Sequence, residues 1–232
     1  NVTVYNHASY TPVLTINTAG RTYGGLIIPA GSTVTHASTH AFTVTGKVDI
    51  TGTYTGGTGA PTFGELYLNA DGTYLATSGT TTITGADLAD GGTANSGFRN
   101  YGTFTHNNGT VLFNGAASFG GSSYAHIQPS ANTFYNFTMS ASGKILQPRG
   151  SSQTLTILND LTITTGSVET YGTNTTNYVI HGKANITGNF GHSTMTGTHD
   201  LNMVELNSGG TFKIGNSTMN VNSLRNLGGT VS

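Results

Sequence analysis

Nine carboxylates are the first residues to weigh, because hydrolysis of a sugar chain needs two of them held a fixed distance apart. Only Asp87 and Asp90 stand close in the chain, inside the run DLADGGTANSGFRN. In a Gly-rich loop an Asp commonly accepts a hydrogen bond from its own backbone, so the pair reads as turn and cap chemistry. Asp49, Glu65, Asp71, Asp160, Glu169, Asp200 and Glu205 are scattered. They meet only if a fold carries distant acids to one face.

Eight histidines are the next candidates. His36 and His40 are four residues apart, a spacing that converges on a metal only on a helix, and their neighbours are Thr-rich and strand-like. His192 and His199 flank a Thr/Gly stretch and read as surface residues. There is no H-E-x-x-H, no G-x-S-x-G, no Gly-Lys followed by Ser or Thr, and no G-G-x-G-x-D. With no cysteine there are neither disulfides nor thiolate metal sites. The expectation is therefore no catalytic residue, no metal and no cofactor.

Aromatic side chains offer a different chemistry, since rings stack on the faces of sugars. Tyr54, Tyr101, Tyr124, Tyr171 and Tyr178 lie beside Gly-rich turns, outside the apolar pairs, and read as loop side chains covering edges. Of these, Tyr101, Tyr124 and Tyr171 are the candidate glycan contacts.

The elements that must position these residues follow from composition. Of 232 residues, 34 are Gly, 43 Thr, 22 Asn and 19 Ser, about half the chain. Only 7% are charged and the net charge is −1. Disordered chains combine low hydrophobicity with high net charge, whereas here 35% of residues are hydrophobic, so the chain folds. Thr, Ser, Asn and Gly are weak helix formers, and Gly or Pro interrupts the chain every few residues. Thr and aromatic residues suit a pleated surface, so the class is all-β. Eight Lys and Arg do not make the basic footprint that nucleic acid requires. No apolar run reaches the 18 or so residues of a membrane-spanning helix. Asn1 reads as a processed terminus or the edge of a fragment. Six Asn-x-Ser/Thr sequences occur, the number that random placement of these residues gives, so they carry no argument for glycosylation.

A degenerate repeat runs along the chain: an apolar–polar–apolar triplet, a short turn with Gly, then another apolar position. Phe42-Thr43-Val44 precedes Val48-Asp49-Ile50, and Leu66-Tyr67-Leu68 leads through Asp71-Gly72 to Tyr74. Phe137-Thr138-Met139, Leu161-Thr162-Ile163 and Val204-Glu205-Leu206 begin similar units. Strands with one apolar pair each are too small to stand alone. Stacked coil upon coil they bury the pairs in one continuous core, with Thr, Ser and Asn forming ladders outside. At about 20–25 residues per coil and about 4.8 Å per step, the expectation is roughly ten coils and a rod on the order of 50 Å. The chain reads as one domain, 1–232, a parallel β-solenoid (β-helix), with a loop insertion or seam at 87–100 and a second loop over 117–130. The alternative architecture is one or two β-sandwiches, which require longer strands and clear hairpins.

Two stretches carry a resemblance. GTFTHNNGTVLFNG at 102–115 with TFYNFTM at 133–139 resembles G-T-F-x-x-N-G-T-V-x-F-N-G … F-Y-N-L-T-I, and LTILNDLTITTG at 155–166 resembles its L-T-V-x-G-D-L-T-I-x-x-G continuation. Such Thr/Asn/Gly-rich runs resemble β-solenoid repeat regions of bacteriophage structural proteins and bacterial surface adhesins. The likeness covers about residues 97–170 and brings no catalytic residues with it.

Three functions are open to such a chain. The first is a non-enzymatic structural protein of a virion or extracellular filament, a stiff spacer, fibre or exterior that self-associates or joins other subunits. The second is an adhesin or receptor-binding spike that recognises surface glycans. The third is a polysaccharide lyase or hydrolase, with Asp87 and Asp90 the first pair to test. The first two place the chain outside the cell or on a virion surface.

Overall fold

A computed structural model describes residues 2–3, 13–36, 39–85, 97–115, 124–128, 132–149, 153–170 and 175–232. Among them there is no helix, hence none long and apolar enough to cross a membrane. Among the described residues the strands pair in parallel, and the single antiparallel contact is an isolated bridge between Asn207 and Gly228. The chain is a parallel β-solenoid of about nine turns. Parallel pairing of short strands sets the sandwich aside.

Each coil has three walls. Wall A begins as a five-stranded sheet made of Val13–Ile16, Thr33–His36, Thr53–Thr55, Thr73–Leu75 and Thr103–Thr105. Strand Phe42–Ile50 illustrates how the other two arise, because it turns a corner without breaking. Phe42 lies beside Arg21 on wall B, while Val48 lies beside Leu26 on wall C. Pairing with the next coil slips between Val44 and Lys47, where the strand bends. Thus the two apolar pairs read in the sequence face one interior from two walls. Phe42, Val44, Val48 and Ile50 are all buried there.

Wall A partners are spaced 20 residues apart at first: Thr33 lies beside Thr53, and Thr53 beside Thr73. The next step is 30 residues, from Thr73 to Thr103. The extra chain enters between Thr80–Ile83 on wall B and Phe98–Asn100 on wall C. Of the seam expected at 87–100, residues 87–96 lie outside the described residues. Phe98–Asn100, in contrast, is a strand in register with Leu66–Leu68. The loop expected over 117–130 is likewise interrupted by strand Tyr124–Gln128, whose Tyr124 pairs with Ile145. Its remaining residues, 117–123 and 129–130, lie outside the described residues. Among the described side chains, Phe98 in one stretch and Ile127 in the other is a buried apolar anchor.

Rings line the interior in contact from coil to coil. Tyr54, Tyr74 and Phe104 stack on wall A with centroids 4.9 and 5.9 Å apart, and Phe190 and Phe212 stack 5.6 Å apart near the other end. Outside, like residues repeat in columns. Thr33, Thr53, Thr73 and Thr103 share one register, and Asn159 donates to Asn136 and Asn207 to Asn185 at 2.8 and 2.6 Å. Where the chain passes from wall C to wall A the corner is made of glycine. A Cβ on Gly52, Gly72 or Gly102 would sit 2.3 Å from a carbonyl oxygen of the coil beneath.

Candidate functional site

Of the three tyrosines expected to contact glycans, Tyr101 is the one whose side chain is described. It follows strand Phe98–Asn100, is 47% exposed, and meets Tyr67 edge to face at 6.1 Å. Tyr171 and the side chain of Tyr124 lie outside the described residues, as do Asp87 and Asp90. Tyr54 and Tyr178 correct the reading of loop tyrosines covering edges, since both are fully buried in the core. Burial raises both phenols well above the usual tyrosine range, and Tyr178 donates its hydroxyl to the Glu169 carbonyl at 2.7 Å.

The histidines do not converge. His36 is buried beside Phe42, 4.9 Å between ring centroids, and its Nε2 contacts the His40 backbone oxygen rather than the His40 ring. His192 is exposed, whereas His199 is buried against Tyr178 and Phe190, which corrects its expected surface position. The Tyr178 N–H donates to His199 Nδ1 at 3.1 Å, and Nε2 lies 3.2 Å from Ser217 Oγ. Desolvation lowers the His199 pKa to about 4. Among the described residues no three His, Cys, Asp or Glu side chains are placed to hold a metal.

Several acids are tied into columns between coils. Asp160 accepts the Lys183 N–H at 2.9 Å, the Lys183 ammonium lies 3.4 Å from Glu205, and Arg225 reaches the other oxygen of Glu205 at 3.2 Å. Lys183, Glu205 and Arg225 thus make a ladder of alternating charge through three coils. Asp200 accepts from Asn220 at 2.7 Å. Glu169 is half-buried, and burial raises its carboxyl against the opposing charges of His192 and Lys213 and a hydrogen bond from Gln147.

On wall C three coils bring charge and aromatic rings together. Lys47 pairs with Asp49 at 3.0 Å and lies 5.2 Å from the Tyr67 ring centroid, with Arg99 5.6 Å from the same centroid. Asn69 adds a hydrogen bond to Asp49 at 2.7 Å. Beneath, Arg99 Nε lies 3.3 Å from Glu65 Oε1, and both side chains are buried. Residues 65 and 99 are 34 apart in the chain, so no single motif holds both. The one signal is that Lys47-x-Asp49, Glu65-x-Tyr67 and Arg99-x-Tyr101 repeat a polar–x–polar pattern on consecutive coils.

The last coil differs from all those beneath it. Thr218–Leu227 pairs with Thr198–Asn207 on one side, and Thr230–Val231 with Thr211–Phe212, with no described strand on the other side. Leu224 stands over Val204 and is 49% exposed, and Val231 stands over Phe212 and is 43% exposed. Met219 and Val221 are only partly buried. The coil therefore presents a cross-section of the apolar core, rimmed by unpaired backbone N–H and C=O groups. Comparison of the chain with family models, with curated proteins and with solved structures finds no match.

Proposed function

We propose that the chain is a non-enzymatic structural protein of a virion or extracellular filament, a stiff β-solenoid serving as spacer, fibre or exterior. It joins other subunits of the same assembly, and its coil at Thr218–Val231 is shaped to be covered by a further β-coil. The observation that supports this reading is the open cross-section at Met219, Val221, Leu224 and Val231. Apolar area left in water at this end, together with a free strand edge, is stabilised by pairing with another β-coil. The charge ladder ends on Arg225, 60% of whose side chain is exposed, so the matching coil meets it with an acid.

Sedimentation equilibrium over a range of concentrations, with electron microscopy of the same samples, tests the proposal. The wild-type chain is expected to associate as concentration rises, and a Leu224→Lys, Val231→Lys variant to remain monomeric with the same β-sheet circular dichroism. A wild-type chain that stays monomeric and forms no particle or filament contradicts it.

A further inference from the structure

Among the described residues the coil at Thr218–Val231 is held to the rod from one side, and one of its bonds runs through a titratable ring. Its strand Thr218–Leu227 pairs with Thr198–Asn207, and Thr230–Val231 with Thr211–Phe212. Leu224 and Val231 remain exposed, while Val204 and Phe212 beneath them are buried. Lifting this coil breaks one interface, whereas a coil in the middle of the stack is held by two. Local opening therefore costs less here than in the interior.

The ring is His199, in the coil beneath. It is fully buried, and Met219 is its register partner in the coil above. The Tyr178 backbone N–H donates to Nδ1 at 3.1 Å, and Nε2 lies 3.2 Å from Ser217 Oγ. A backbone amide only donates, so Nδ1 holds a lone pair and the neutral ring carries its proton on Nε2. That proton faces Ser217 Oγ and the Thr196 backbone oxygen. One imidazole thus links three consecutive coils, from Tyr178 through His199 to Ser217. A second proton goes only to Nδ1, where it would point at the Tyr178 N–H and set two donors against each other in the core. The surrounding groups offer little relief. Tyr178 turns its hydroxyl away to the Glu169 carbonyl, Phe190, Ser217 and Met219 carry no charge, and exposed His192 bonds Thr194. Asp200, next in the chain, is exposed and holds Asn220; it attracts the proton less than burial repels it.

We propose that His199 is an acid-sensitive latch for the coil at Thr218–Val231: a proton taken up at Nδ1 breaks the bond from the Tyr178 N–H, and the coil lifts from the rod. Opening wets the ring and restores its ordinary affinity for protons. The closed ring titrates at about 4, against 6.5 in water. Each pH unit lost below 6.5 therefore favours the open coil about tenfold, until the closed ring itself titrates. Above 6.5 the ring is neutral in both forms and opening does not depend on it. A subunit seated on this coil leaves with it in acid, a consequence that rests on the structural role proposed above; the latch itself does not.

The test is hydrogen exchange of the dilute chain at pH 7 and 4.5, with each rate divided by the intrinsic rate at that pH. Amides of Thr218–Leu227 are expected to lose protection roughly 60-fold at pH 4.5, the ratio that the closed and open titrations give. Their exchange is expected to respond weakly to low urea, because local opening exposes little surface. Amides of Phe42–Ile50 follow the steeper urea dependence of whole-chain unfolding. In His199→Gln an amide oxygen still accepts from Tyr178 and nothing titrates, so the effect of pH on Thr218–Leu227 is expected to vanish. If that variant does not fold, ¹⁵N shifts of the wild-type His199 ring at pH 7 are expected to show the proton on Nε2. A proton on Nδ1, a pH effect that survives in His199→Gln, or exchange at Thr218–Leu227 with no pH dependence overturns the latch. So does a urea dependence there equal to that of Phe42–Ile50.

Discussion

Tyr54 and Tyr74 occupy the same register one coil apart, with ring centroids 4.9 Å apart and planes 30° from parallel. Each fills the centre of a three-residue strand, Thr53–Thr55 or Thr73–Leu75, and Tyr74 also bonds the Thr81 hydroxyl at 3.1 Å. Truncation therefore removes packing on both neighbouring coils. Tyr74→Ala is expected to destabilise the chain by about 3–5 kcal/mol, whereas Tyr74→Phe loses one buried hydrogen bond and about 1 kcal/mol. Urea denaturation followed by circular dichroism separates the two.

At the glycine corner the limit is space. A Cβ on Gly72 would lie 2.3 Å from the Ile50 carbonyl oxygen, which is backbone and cannot swing aside. Gly72→Ala is expected to destabilise by about 1–3 kcal/mol through overpacking. Gly209, where no atom lies within 4 Å of the added Cβ, has positive φ and serves as a contrast in which only backbone strain acts. Parallel thermal melts of the two Ala variants read the difference.

The buried pair of Glu65 and Arg99 predicts a larger loss for one substitution than for two. Glu65→Ala removes a carboxylate that stands 3.3 Å from the buried Arg99 guanidinium, a change expected to cost about 3–5 kcal/mol. Replacing both with apolar residues of similar volume, Glu65→Leu with Arg99→Met, is expected to recover most of that loss. A double-mutant cycle measures the coupling.

Acid sensitivity follows from His199. Its pKa falls from the usual 6.5 to about 4 in the fold, chiefly by desolvation, with Asp200 and a backbone bond to Thr196 pulling the other way. Above pH 6.5 the ring is neutral whether folded or unfolded and contributes no pH dependence. Between 6.5 and about 4 the unfolded chain takes up a proton that the folded chain refuses, so stability falls as pH falls, by up to about 3 kcal/mol. His36, shifted in the same direction, adds to the slope. A His199→Gln variant is expected to show a shallower loss of stability across that window, measured by urea melts at successive pH values. A slope equal to wild type counts against the buried neutral ring.

The sequence was legible where strands carry two inward residues and opaque where they carry one. On walls B and C the pairs Phe42/Val44, Val48/Ile50 and Leu161/Ile163 announce themselves by alternation, and all face the core. On wall A, Thr53–Thr55 and Thr73–Leu75 turn only Tyr54 and Tyr74 inward. Tyr178, in a longer strand, also faces the core. Beside Gly-rich turns these tyrosines pass for loop residues. His36 and His199 hide for a related reason: an imidazole in the core is not an apolar type, and only burial reveals it. The pairing of Glu65 with Arg99 depends on the register between coils of unequal length, and the polar–x–polar pattern marks the residues without matching them.

Stacking at a 20-residue step is the claim on which every other one rests, and the absence of native cysteine gives it a clean test. Thr35 and Thr55 are register partners on adjacent parallel strands of wall A. Neighbouring strands lie about 4.8 Å apart, inside the Cα range of about 4.4–6.8 Å that a disulfide spans. Under mild oxidation a Thr35→Cys, Thr55→Cys variant is expected to close an intramolecular disulfide in nearly all molecules, read by intact mass and thiol titration. Thiols that stay free, or that link only between molecules, would contradict the stacked coil.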